Sequence, residues 1–259
     1  MVRLTIKLAV NDHKMDDGCK AVERKLNQFG DFEDVTNMSV NDWDYRWSLG
    51  QTKFHMPKVH PMLQKHMERL TKGKNKASVF VSLCGKTLDM KWLLDEGHEV
   101  IGNEFVDSAC RQFFEEHNIP YTSTPLTGIE GVLYQATDGT PIKLYRCDCF
   151  DLSSKLCGQF DCMWDRGGFV ALPVKDRTRY ARVMADLMKK DGRYLLDCFL
   201  VDNSVFGGPP FNCDQNDVKQ AFGKLCKVEK IDTEDAFTKW QEAWGIDSFI
   251  EDIYLLEKK

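Results

Sequence analysis

From residue 77 onward the chain alternates short apolar runs with segments of helical periodicity. The alternation predicts strands over residues 77–83, 99–102, 132–135, 142–147, 160–164, 193–201, 227–231 and 249–256. Between them it predicts helices over 87–96, 107–117, 175–189 and 215–223. Parallel strands need a connection of a dozen or more residues, so a strand–helix–strand rhythm marks a parallel sheet. Thr137-Asp138-Gly139-Thr140 breaks the rhythm between two short apolar runs and reads as a hairpin turn. The pattern therefore predicts one doubly wound α/β domain, with helices on both faces of a mostly parallel sheet. Upstream, Ser39 stands at a helix N-cap position, and Trp43 and Trp47, four residues apart, share one helical face. Residues 58–76 read as a helix rich in Lys and His, and residues 1–38 as a polar extension ahead of a domain spanning 39–259.

Composition narrows the class of ligand. The 259 residues are 42% hydrophobic and 29% charged, the balance of an ordinary globular domain. No apolar run approaches the roughly 20 residues that span a bilayer, so no membrane association is expected. Thirty-five basic and 40 acidic side chains leave a net charge of -5, which offers no footprint for a phosphate backbone. The basic helix at 58–76 is then a solvated face, and a small molecule is a better partner than a nucleic acid. The first residues lack a signal-peptide core, and Asp12, Asp16 and Asp17 are out of place in a transit peptide, which points to the cytoplasm. Ten cysteines without a secretion signal read as reduced thiols. Cys147, Cys149, Cys157 and Cys162 lack C-x-x-C spacing, so buried, inert thiols are expected and no metal site.

In a doubly wound sheet, ligands sit beyond the carboxyl ends of the strands. The first strand runs into Ser82-Leu83-Cys84-Gly85-Lys86, which holds a single glycine. The G-x-G-x-x-G turn that lets a backbone approach a pyrophosphate is absent, which disfavours a dinucleotide. About twenty residues beyond Gly85, Glu104 closes the second strand, where an acid either accepts ribose hydroxyls or stands as an ordinary surface carboxylate. A ribose without pyrophosphate points to S-adenosylmethionine. Asp165 and Arg166 end the strand at 160–164, ahead of Gly167-Gly168. They either reach the same mouth as Glu104, or cap the following helix or pair with each other. Cys147-Asp148-Cys149-Phe150-Asp151 either borders an adenine or is a strand end with a turn-forming Asp.

Together these motifs resemble the thiopurine S-methyltransferase family. The resemblance rests on Trp43-Asp44-Tyr45-Arg46-Trp47, Gly50-Gln51-Thr52-Lys53-Phe54-His55, Leu83-Cys84-Gly85-Lys86 and Met90-Lys91-Trp92. It continues through Phe150-Asp151-Leu152, Trp164-Asp165-Arg166-Gly167, Gly208-Pro209-Pro210-Phe211 and Trp244-Gly245-Ile246-Asp247. It implies a Rossmann-like class I methyltransferase with a seven-stranded sheet whose last strand is antiparallel, a monomer using S-adenosylmethionine and releasing S-adenosylhomocysteine. On the family pattern Trp43, Trp47 and Phe54 belong to a lid over residues 39–56 that closes on the cofactor. Leu83 and Gly85 match contacts to its amino-acid end, Glu104 to its ribose, and Asp148 and Cys149 to its adenine edge. Arg166 matches an arginine near both cofactor and acceptor, and Phe54, Pro209, Pro210, Phe211 and Trp240 would wall the acceptor pocket.

The reaction this implies is in-line displacement, an acceptor thiolate attacking the methyl carbon of a sulfonium. Its leaving group is a neutral thioether that needs no proton. Aromatic heterocyclic thiols are already acidic, so Arg166 can favour the anion without a dedicated base. Members of the family can carry an arginine between the Ala-Phe and Trp-Gly-Ile-Asp motifs; this chain has Trp240, with Lys239 beside it as a candidate replacement. Thiopurine-type acceptors are the first expectation. An aliphatic thiol, sulfide or selenium acceptor, or a silent cofactor-binding protein, are the alternatives.

Overall fold

The computed structural model describes residues 38–259. The extension expected over 1–38, Met38 apart, lies outside the described residues. The strands are β1 (Ser78–Val81), β2 (Glu99–Glu104), β3 (Tyr121–Pro125), β4 (Val132–Ala136), β5 (Ile142–Arg146), β6 (Phe160–Arg166), β7 (Met188–Leu200), β8 (Cys226–Asp235) and β9 (Ile250–Lys258). The helices are α1 (Val40–Ser48), α2 (Pro61–Thr71), α3 (Leu88–Asp95), α4 (Asp107–Glu116), α5 (Ser154–Cys157), α6 (Arg177–Leu187), α7 (Gln215–Phe222) and α8 (Lys239–Glu242).

Among the described residues these strands form one sheet in the order β3-β4-β5-β2-β1-β6-β7-β9-β8. The run from β5 to β7 is parallel, and β9 inserts antiparallel between β7 and β8. The sheet has nine strands, where the family resemblance implied seven and the apolar runs predicted eight. The surplus is β3 and β4, added antiparallel at the β5 edge. β4 and the turn at 137–140 follow the expected hairpin, whereas β3 carries no hydrophobic alternation. Its four residues after Tyr121 are exposed, so apart from the Tyr121 ring, which packs on Phe114 and Tyr134, its place is set by main-chain pairing.

Alternation along the inner strands sorts the core into two layers. Val79, Val81, Val100, Cys162, Trp164, Ile253 and Leu255 pack with Leu63 of α2, Met90 and Leu93 of α3 and Phe113 of α4. Phe80, Ile101, Met163, Tyr254 and Leu256 pack instead with Tyr180 and Met184 of α6 and Val218 and Phe222 of α7. A side-chain period of two sends alternate residues to opposite faces, and here both faces are covered. The helix expected over 58–76 is shorter, because His60 caps it ahead of Pro61 and Lys72 turns left-handed at φ 55°.

Asp89, buried on α3, joins three parts of this frame. It accepts the Trp164 indole N–H of β6 at 2.8 Å and the His60 backbone N–H ahead of α2 at 2.8 Å. Asp89→Ala leaves two buried donors unpaired, and we expect a loss of about 2–5 kcal/mol of unfolding free energy, read by urea denaturation.

Candidate active site

The carboxyl ends of β1, β2, β5, β6 and β7 meet along one edge of the parallel sheet, and the predicted residues gather there. After β1 the chain turns sharply: Leu83 (φ 43°) and Gly85 (φ 50°) both take left-handed backbone. A Cβ at Gly85 would overlap the His55 ring, so the close approach requires glycine as much as the turn does. Glu104, at the end of β2, is buried and accepts three backbone N–H groups. Gly85 donates to Oε2 at 2.8 Å, while Phe105 and Val106 donate to Oε1, each at 2.8 Å. Burial pushes its carboxyl above the ordinary value, against the pull of those donors. A carboxylate has about four acceptor sites, so Oε2 keeps capacity for a hydroxyl.

Asp165 and Arg166 are adjacent on β6 and do different things. Asp165 is fully buried and accepts from Tyr180 and Tyr194, each at 2.6 Å, and from the Gly168 and Phe169 N–H groups, each at 3.1 Å. It organises the strand end and the turn beyond it and does not face the mouth. Arg166 turns the other way: its Nη1 donates to the Phe54 carbonyl at 2.6 Å, and its guanidinium lies 5.8 Å from the Phe199 ring centroid.

Phe54 belongs to the aromatic segment that follows α1. Its ring meets Trp43 edge-on at 5.7 Å and Trp47 at 6.2 Å. Trp47 is buried against Val106 and Ala109 at the start of α4. His55 follows Phe54, with its ring 5.1 Å from Trp47 and its Nε2 buried without a hydrogen-bond partner among the described residues. Burial, with the Arg166 and Lys86 charges adding to it, lowers its pKa to about 4. Sequence reasoning left His55 without a role; only the overlap with Gly85 shows what it does.

The other predicted residues lie around this centre. Asp148 caps the turn after β5 through the Phe150 N–H at 2.9 Å, and Cys149 is buried behind it. Asn103 holds that turn beside Glu104, donating to the Tyr145 and Cys147 carbonyls at 3.0 and 3.1 Å. Pro209 and Pro210 are half-buried, but Phe211 is buried, its N–H bonded to the Val170 carbonyl at 2.7 Å. Phe211 thus backs the wall rather than facing the mouth. Trp240 reaches the lid through Lys53, whose Nζ lies 4.8 Å from its ring centroid.

A cluster that sequence reasoning missed lies beneath Arg166. Asp197, Arg166's register partner on β7, is fully buried, with Oδ2 3.9 Å from Arg166 Nε and 3.8 Å from His60 Nε2. His60 Nε2 lies 3.0 Å from Glu251 Oε1, and the three residues could offer donor atoms to a metal ion. However, His60 Nδ1 accepts the Met62 N–H at 3.3 Å, which places the ring proton on Nε2 and makes it a donor to Glu251. Burial and the neighbouring Glu251 push the Asp197 carboxyl well above its ordinary range. The nine cysteines among the described residues are free thiols, all but Cys157 buried, and burial pushes Cys147, Cys157 and Cys162 up to about 12.

A family model described as thiopurine S-methyltransferase matches residues 38–259. The chain belongs to the thiopurine S-methyltransferase family. It is 39% identical over 223 residues to a probable thiopurine S-methyltransferase of Danio rerio, covering 86% of this chain and 96% of that one. It is 36% identical over 247 residues to the thiopurine S-methyltransferase of Oryctolagus cuniculus, covering 95% and 100%. Among solved structures it shares the fold of the 1,6-didemethyltoxoflavin-N1-methyltransferase of Burkholderia thailandensis, with a TM-score of 0.54, 14% identity and coverage of 85% and 87%. The magnesium protoporphyrin IX methyltransferase of Synechocystis has the same TM-score, at 12% identity and coverage of 86% and 99%. This member of the thiopurine S-methyltransferase family keeps the class I strand order within its nine-stranded sheet. No helix among its described residues is long and apolar enough to cross a membrane.

The lowered pKa of His55 makes the closed segment sensitive to acid. The folded state keeps the ring neutral down to about pH 4, whereas the unfolded chain takes up a proton near 6.5. Stability from the neutral ring is therefore complete above that value and is lost as pH falls toward 4. In urea unfolding, the wild type should lose more stability across this interval than His55→Phe, which keeps a ring but cannot titrate. Parallel pH profiles would refute the assignment.

Proposed function

We propose that the strand-end mouth transfers a methyl group from S-adenosylmethionine to the sulfur of an aromatic or heterocyclic thiol of thiopurine type, with Arg166 as the catalytic residue. Family membership makes the chain an S-adenosylmethionine-dependent methyltransferase acting on a small molecule. What supports the residue roles is one convergence: the Gly85 turn, the Glu104 carboxylate, an aromatic segment and a guanidinium share a single mouth.

The residues fit this cofactor. Oε2 of Glu104 retains an acceptor site for a ribose hydroxyl, and the single-glycine turn demands no pyrophosphate. The orphaned Nε2 of His55 lies over that turn and offers a partner to the polar amino-acid end. Leu83 and Gly85 would hold that end, Asp148 and Cys149 the adenine edge, and Trp43, Trp47 and Phe54 the lid above. When bound, S-adenosylmethionine supplies a sulfonium methyl carbon as electrophile, and neutral S-adenosylhomocysteine is left behind.

Aromatic faces attract a cation, and a closed lid keeps water from the reacting centre. Arg166 closes that lid through the Phe54 carbonyl, and its charge favours the ionised form of an acidic thiol beside it. Phe54, Pro209, Pro210 and Trp240 would line the acceptor pocket, with Phe211 behind them. On this reading residues 39–259 form one methyltransferase domain with its lid over 39–56, acting as a cytoplasmic monomer.

The test is methyl transfer from labelled cofactor to a panel of thiols, using the purified protein. Aromatic and heterocyclic thiols should be labelled; transfer confined to aliphatic thiols, sulfides or selenium compounds would overturn the acceptor assignment. Arg166→Ala should lower kcat/KM for the acceptor by about 100-fold, the scale of a lost electrostatic donor, with a smaller change in cofactor affinity. Equal losses in both would make Arg166 a cofactor ligand only.

A further inference from the structure

Two large aromatic side chains remain open at the rim of the mouth: Phe54 is 36% exposed and Trp240 45%. They come from different parts of the chain. Trp240 stands on α8, whose first turn is fixed by the Thr238 hydroxyl accepting the Trp240 N–H at 3.2 Å. The α8 segment is tied to the body of the fold, with Trp244 stacked on Phe206 at 4.2 Å and the Ala236 N–H bonded to the Phe249 carbonyl at 3.0 Å. Phe54 rides on the segment after α1. Between them lies Lys53, with its ammonium 4.8 Å from the Trp240 ring centroid.

The charges around Phe54 are therefore divided. Arg166 reaches its carbonyl from β6, and Lys53 extends from the preceding residue toward α8. An ammonium held over an aromatic face is oriented without losing its charge, and it keeps N–H donors for an anion. Lys239, the neighbour that the sequence suggested as a second cation, is exposed on α8, and it is Lys53 that meets Trp240.

We propose that Lys53, seated on Trp240, is a specificity-determining residue of the acceptor pocket, selecting aromatic thiols that carry a second anionic group on the ring. The inference rests on the mouth being the methyl-transfer site proposed above. In it the thiolate faces Arg166 and the ring substituent faces Lys53. The rim cation comes from the lid, so this selectivity exists only when the lid is closed.

The experiment compares two aromatic thiols that differ only in a ring carboxylate, with saturating S-adenosylmethionine, in the wild type, Lys53→Gln, Trp240→Ala and the double variant. Lys53→Gln should raise KM for the carboxylated thiol about fivefold more than for the uncharged one, the scale of an exposed charge pair. That excess should shrink in the Trp240→Ala background, where the ammonium is no longer oriented. Equal KM increases for both thiols, a change in cofactor affinity alone, or no change would overturn the role of Lys53. If the wild type methylates neither thiol, the proposed function fails first, which separates the two outcomes. Both side chains are exposed, so the variants are expected to fold, and circular dichroism checks this.

Discussion

A carboxylate taken out of water must find donors, and the way Asp165 finds four explains much of this architecture. Tyr194 reaches it from β7, Tyr180 from α6, and two backbone N–H groups from the turn that follows β6. Tyr180 also meets the Ser82 hydroxyl at 2.5 Å, so the loop after β1 is registered against the same point. The ends of β1, β6 and β7 are thereby held in one arrangement, and losing any member would leave a buried polar group unpaired. Arg166 inherits its position from this network, since its neighbour on the strand is immobilised.

Glu104 does the same for the other half of the mouth. Its three backbone donors bind the turn at Gly85 to the start of α4, so the carboxylate shapes the loop at the strand-end mouth. The two buried acids thus divide the work. Asp165 is saturated and structural, while Glu104 keeps acceptor capacity and faces the site.

The lid is held by contacts of a different kind. Arg166 grips a backbone carbonyl, His55 fits over a glycine, and Lys53 rests on an exposed ring. Each is a contact that can be made and broken without exposing a large core. Below Arg166, His60, Glu251 and Asp197 form a compact polar layer in which one acid is protonated readily and the other is held down by His60.

Local pattern was enough for the fold class, since the short apolar runs of β1, β2 and β6 and the helical periods between them mark a parallel sheet covered on both faces. It also placed Glu104 and Arg166 at the ends of their strands and Gly85 just beyond the first, where the structure has them. The β3 edge strand was invisible because its residues beyond Tyr121 are solvated and only main-chain pairing holds them. The distinct fates of Asp165 and Arg166 were equally hidden. Successive strand residues point to opposite faces, and which face held donors depended on tyrosines 15 and 29 residues away. The same holds for His55 over Gly85 and Lys53 on Trp240. Residues distant along the chain meet only when the fold closes, so tertiary structure alone decided these contacts.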